Sequence, residues 1–178
     1  MKKEEKRRAI VKAAMDLLAE RGIENVSTGD IAARARVGKG TMYIYFPSKE
    51  DLLREVALSV YESFVRDVEA ATESSEDPRS FISRLSERVF SDLDRRGRLI
   101  HMLRGYLRGE GYERLVSEYR SALEKAHRKF RMGISFEELY FYTTSLMMSS
   151  YVFRDMGLDK LREYFKKGLE KLILGGRT

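Results

Sequence analysis

The stretch STGDIAARARVGKGTMYIYFPSKEDLL, residues 27–53, decides how this chain is read. Ser27 followed three residues later by Asp30 has the spacing of a capping box, in which hydroxyl and carboxylate satisfy each other's backbone N–H at a helix start. The helix it opens carries Ile31 and Ala32 and ends near Ala35. Arg36, Val37 and Gly38 interrupt, and a further short helix fits residues 39–45. Pro47 cannot continue that helix, and Ser48 with Asp51 repeats the capping pattern to start a long one. Two short helices joined by a tight turn form a unit whose second member can lie in a DNA major groove.

The residues on that second helix suit such a surface. Lys39 carries charge, Gly38 and Gly40 allow close backbone approach, and Thr41, Tyr43 and Tyr45 offer hydroxyls to phosphate oxygens. Ser48 and Lys49 set a helix N-terminus and an ammonium nearby, a ready anion site. Met42 and Phe46, four residues apart, share an inward face, whereas Lys39, Thr41 and Tyr43 project elsewhere. Packing alone would also account for the aromatics.

Upstream, Ile10, Ala13, Ala14, Leu17 and Leu18 keep helical spacing up to Gly22, placed as a C-terminal cap. Downstream, Leu53, Val56, Ala57, Val60, Phe64 and Val68 extend the long helix to about Ala71, with a loop over residues 72–76. Asp77-Pro78 starts another helix, expected to carry Phe81, Leu85, Val89 and Leu93. The next holds Leu99, Met102, Leu103, Tyr106 and Leu107, and a third Leu115, Val116, Tyr119, Leu123 and Phe130. Ser135 with Glu138 opens a helix running to about Met156, and Leu158, Leu161, Phe165, Leu169 and Leu172 stripe the last. Nothing alternates with period two, so the chain reads as all-α, with about nine helices.

Composition bounds the function. The 178 residues are 43% hydrophobic and 35% charged, enough for a sizeable core. Without cysteine there is neither a disulfide nor a thiolate metal site, and two isolated histidines, His101 and His127, make no metal centre. No metal or cofactor is expected. No nucleophile–base pair or phosphate-binding loop after a strand is present, so a small helical enzyme is disfavoured. The charged N-terminus lacks an apolar signal region, and the uncharged run at residues 139–153 falls short of the roughly 20 residues a membrane span needs. A cytoplasmic protein with no membrane partner is expected. Of the net charge of +6, residues 1–54 carry 12 basic against 8 acidic side chains, +4, which favours a polyanionic partner at that end.

Thr28, Ile31, Ala32, Val37, Lys39-Gly40-Thr41-Met42-Tyr43, Tyr45-Phe46, Lys49 and Leu52-Leu53 together resemble the DNA-binding domain of TetR-family transcriptional regulators. The resemblance implies a helix-turn-helix domain over residues 1–50, comprising three helices, and a helical effector-binding and dimerisation domain over residues 51–178. It implies DNA contacts at Thr28, Gly38, Lys39, Gly40, Thr41, Tyr43, Tyr45 and Lys49. Arg36 stands where the family's turn usually has glycine; a positive φ there would cost about 1 kcal/mol, and its guanidinium could add a phosphate contact.

The run at residues 139–153 is uncharged around its whole circumference and must be covered on every side. Ser145 and Ser149 would admit a second helix closely, and with Val152, Leu161, Phe165 and Leu172 they are the expected homodimer interface, as the resemblance also implies. Two reading helices about 34 Å apart would then engage an inverted-repeat operator in double-stranded DNA. Tyr61, Phe64, Met102, Tyr106, Tyr119, Tyr142, Met147 and Phe153 are candidates to line a pocket for an apolar or aromatic effector that releases a repressor from its operator. The alternative within DNA binding is a sequence-independent coating protein held by charge alone.

Overall fold

The computed structural model describes residues 3–149 and 157–175. Among them are nine α-helices and no strand: α1 (Lys3–Arg21), α2 (Thr28–Arg34), α3 (Lys39–Tyr45), α4 (Lys49–Ser74), α5 (Pro78–Phe90), α6 (Leu93–Leu103), α7 (Glu110–Phe130), α8 (Phe136–Ser149) and α9 (Leu158–Leu174). Short 3-10 turns cover Ile23–Asn25 and Arg104–Tyr106. None of these helices is long and apolar enough to cross a membrane.

Two compact units emerge, one of Met1–Val60 with Arg98–Gly109 and one of Tyr61–Gly97 with Glu110–Thr178. In the first, α1 packs on α2 and α2 on α3. Its core is Ile10, Ala14, Leu17 and Leu18 from α1, Ile31 and Ala32 from α2, Met42 and Phe46 at α3, and Leu52, Leu53 and Val56 from α4, all buried. The two ends of this set are tied by Arg7, which pairs with Glu55 and lies over the Phe46 ring. Arg34 of α2 reaches back to Glu20 of α1 through two hydrogen bonds of 3.1 and 3.3 Å.

In the second unit α5 packs on α9 and α7 on α8. Phe64, Phe81, Leu85, Leu93, Leu115, Leu123, Leu139, Phe165 and Leu169 fill its interior. Through it runs one buried cation. Arg96, 5% exposed, pairs with Asp67 at 2.6 Å, donates to Ser63 and to the carbonyls of Arg88 and Val89, and covers the Phe64 ring at 4.4 Å. Those two carbonyls belong to the last turn of α5, so Arg96 acts as its C-terminal cap. Leu93 correspondingly opens α6 instead of closing α5, correcting the single helix expected from its spacing. Tyr106 lies in the 3-10 turn after α6 and Leu107 beyond it.

The long helix also outlasts its expected end near Ala71. Thr72 and Ser74 donate their hydroxyls to the carbonyls four residues back, at 2.7 Å each. Lys129 of α7 then donates to the Thr72 and Ser75 carbonyls at 2.6 and 2.8 Å, so a cation closes the helix where its dipole is negative.

Candidate nucleic-acid interface and helical-domain cavity

The short helix α2 is built by its cap. The Asp30 N–H donates to Ser27 Oγ at 3.1 Å, while the Asp30 carboxylate accepts from the Ser27 N–H at 2.9 Å and its hydroxyl at 2.6 Å. These bonds hold the Asp30 carboxyl below the ordinary aspartate range. At the other end the Val37 N–H reaches the Ala32 carbonyl at 3.0 Å and the Arg36 N–H the Ala33 carbonyl at 3.1 Å. This double closure is the Schellman arrangement, which demands a left-handed residue at Arg36. Arg36 has φ +56°, so the strained position anticipated in the turn is occupied by an arginine. Gly38, by contrast, sits at φ −68° and ψ 147° as the N-cap of α3, a conformation open to any residue.

Helix α3 divides cleanly. Met42 and Phe46 are buried; Lys39, Gly40, Tyr43 and Ile44 are exposed, and Thr41 and Tyr45 are half-buried. The Tyr43 hydroxyl lies 3.2 Å from Thr28 Oγ1, which brings the first residue of α2 and the middle of α3 to one edge. Lys49 Nζ donates to the Ile23 carbonyl at 3.2 Å, so its position is fixed by the 3-10 turn, with two further N–H donors on the ammonium. Ser48 Oγ accepts from the Asp51 N–H at 3.0 Å, capping α4 beside it.

All nine residues read as DNA contacts thus lie within the first unit, on α2, the turn, α3 and the start of α4. One exposed residue on the same helix escaped the reading: Ile44, 77% exposed. This aliphatic side chain between two tyrosines carries neither hydroxyl nor charge, and its place opposite Met42 on a helical wheel is the sequence signal of its exposure.

In the second unit a cavity of about 140 Å³ is lined by Tyr61, Tyr112, Leu115, Val116, Tyr119, Tyr140 and Thr144. The Tyr61 and Tyr112 rings meet edge to face at 5.7 Å, and Tyr119 and Tyr140 at 6.2 Å. Burial pushes the Tyr61 phenol up to about 12, and Tyr119 further in the same direction, so both remain neutral donors at physiological pH. Thr144 Oγ1 is buried with no hydrogen-bond partner among the described residues. Among the described residues the lining carries no carboxylate, imidazole, ammonium or guanidinium.

Of the eight expected pocket residues, Tyr61 and Tyr119 line this cavity, and Phe64 lines with Tyr119 a separate void of about 10 Å³. Tyr142 stacks on Phe165 at 6.0 Å. Met102 and Tyr106 fall in the first unit, and Met147 and Phe153 lie outside the described side chains. Tyr112, Tyr140 and Thr144 went unnamed; Tyr140 and Thr144, four apart on α8, share a face that spacing shows, but its partner helix is a tertiary fact. Among the expected interface residues Ser145 is exposed, Leu172 half-buried, and Leu161 and Phe165 buried within the second unit. Ser149 and Val152 lie outside the described side chains. Among the described residues, the large apolar groups exposed on α8 and α9 are Phe141 (73%), Tyr164 (63%) and Leu158 (36%).

Residues 10–56 match the family described as bacterial regulatory proteins, tetR family. The chain is 41% identical over 73 residues to the HTH-type transcriptional repressor LfrR of Mycolicibacterium smegmatis, covering 41% of this chain and 38% of that protein. It is 35% identical over 114 residues to the HTH-type transcriptional repressor Rv3405c of Mycobacterium tuberculosis, covering 63% and 54%. The aligned part is therefore under two thirds of either relative. The crystal structure of LfrR in complex with proflavine superposes with a TM-score of 0.67 at 23% identity over 100% of this chain and 99% of that one, which shows a common fold.

Proposed function

We propose that this chain, whose residues 10–56 match the tetR family of bacterial regulatory proteins, is a sequence-specific transcriptional repressor released from its operator by a small aromatic or apolar effector. The observation that carries this reading is the division of α3 into a buried face of Met42 and Phe46 and an exposed face of Lys39, Gly40, Tyr43 and Ile44. A helix of seven residues so presented enters a major groove with its exposed side toward the bases. Thr28, Tyr43, Tyr45, Arg36 and Lys49 then meet phosphates, which fix register without reading sequence. In this assignment residues 1–50 bind DNA and residues 51–178 bind effector and a second copy of the chain.

Two features support the rest. The tyrosine-lined cavity offers ring faces and edges, neutral hydroxyls and no ionised group, which suits a flat aromatic molecule with few polar atoms. Solvent-exposed Phe141 and Tyr164 on α8 and α9 suit burial against the same helices of a second subunit, placing two α3 helices on an inverted repeat. An effector that prefers a dimer with its reading heads out of register needs only about 1.4 kcal/mol of differential binding for a tenfold loss of DNA affinity. The names of the relatives agree with this reading: LfrR is a repressor and its structure holds proflavine.

Selection of duplexes from a randomised pool, followed by anisotropy titration at two salt concentrations, tests it. An inverted repeat bound at least about 10³-fold better than a scrambled duplex is the expected result. Equal, salt-sensitive affinity for both would leave charge-driven coating instead.

A further inference from the structure

Two residues of α3 are unexplained by the protein that contains them. Ile44 exposes 77% of its surface, more than any other large apolar side chain in the described residues. Gly40, four residues earlier and thus beside it on the helix, has no positive φ, and a Cβ added there would find nothing within 4 Å. Glycine in a helix costs up to about 1 kcal/mol relative to alanine, so neither backbone conformation nor internal packing accounts for it. Gly168 of α9 differs, because a Cβ there would run into the Tyr142 side chain. The constraint on Gly40 and the recompense for Ile44 must come from whatever docks on this face.

Resting on the DNA-binding reading above, we propose that Ile44 reads the 5-methyl group of a thymine in each operator half-site, with Gly40 leaving the room that lets the base edge approach. The thymine methyl is the apolar group that base pairs present in the major groove, and every other readable feature there is a hydrogen-bond donor or acceptor. Ile44 can make neither kind of hydrogen bond through its side chain, so on a groove-facing helix a methyl is its match. Tyr43, exposed on the same helix, supplies with Thr28 a phosphate anchor that holds the pair in register.

The test uses the full chain and its selected operator, with each thymine replaced in turn by deoxyuridine, which lacks only the methyl. One thymine per half-site should prove sensitive, its loss weakening the wild-type protein about fourfold, the worth of one buried carbon. Changing both half-sites together should cost about fifteenfold. Ile44→Ala, which removes an exposed side chain and should melt like the wild type, should bind the thymine operator more weakly and show no further loss on deoxyuridine substitution. Gly40→Ala should raise the melting temperature yet weaken binding to every duplex. Thymine-independent affinity, or equal deoxyuridine sensitivity in Ile44→Ala, overturns the assignment while leaving the repressor reading intact. Failure to prefer any duplex over scramble overturns both.

Discussion

Replacing Arg36 by glycine should make the free protein more stable and its DNA complex weaker. Arg36 sits at φ +56° because the Val37 and Arg36 amides both close on α2 carbonyls. An L-residue held there carries about 1–2 kcal/mol of strain, which glycine lacks. Glycine gives back part of this through the larger entropy of its unfolded chain, about 0.5–1 kcal/mol. The balance is a gain of about 0.5–1 kcal/mol, a rise in Tm of about 1–4 °C for a chain of this size. Urea titration should show the midpoint move with an unchanged slope, since no buried surface alters. On DNA the lost guanidinium should make the plot of log affinity against log salt shallower by about 0.9 per protomer. Arg36→Lys keeps both strain and charge and should reproduce the wild type in each measurement. A Tm for Arg36→Gly at or below wild type would refute the strain argument, and an unchanged salt slope would refute the phosphate contact.

Arg96→Met should destabilise the chain by about 3–5 kcal/mol, read by urea denaturation, because Asp67 and two α5 carbonyls lose their donor. The double variant with Asp67→Leu should lose distinctly less than the sum of the single changes. Gly168→Ala should lower Tm despite its better helix propensity, since its Cβ would meet Tyr142, which stacks on Phe165; on a Tyr142→Phe background the loss should shrink. Stability should also fall with acid. Asp30, Asp77 and Glu138 are held below their ordinary values of 3.8 and 4.5 by hydrogen bonds to Ser27, Ser80 and Ser135. Lowered folded values mean the contribution is complete above about pH 5 and is lost as pH falls from the ordinary values through the lowered folded ones, so melts from pH 7 to 3 should fall on the acid side, and Ser27→Ala, which keeps the backbone N–H, should reduce the Asp30 share.

Local chemistry made the helix starts legible. Ser27–Asp30, Ser48–Asp51 and Ser135–Glu138 all form the caps their spacing announces, and Pro78 opens α5. The helix ends depended on residues far along the chain. No proline or glycine separates α5 from α6; the break is stabilised by the Arg96 guanidinium taking the last carbonyls, and α4 is closed by Lys129, 57 residues beyond Thr72. The two faces of α3 were legible because each is set by residues within one turn of each other. The cavity was only half legible, because Tyr61, Tyr119 and Tyr140 sit on three helices whose meeting no periodicity encodes.

The same cavity gives the protein a built-in optical reporter. The chain has no tryptophan and ten tyrosines, so its ultraviolet emission is tyrosine emission alone. Four of those ten rings wall the cavity, and two more, Tyr43 and Tyr45, belong to α3. A conjugated molecule entering among the four would draw energy from them and dim the protein without any label attached. On the proposed reading, that dimming would follow effector occupancy while a labelled operator follows release in the same cuvette.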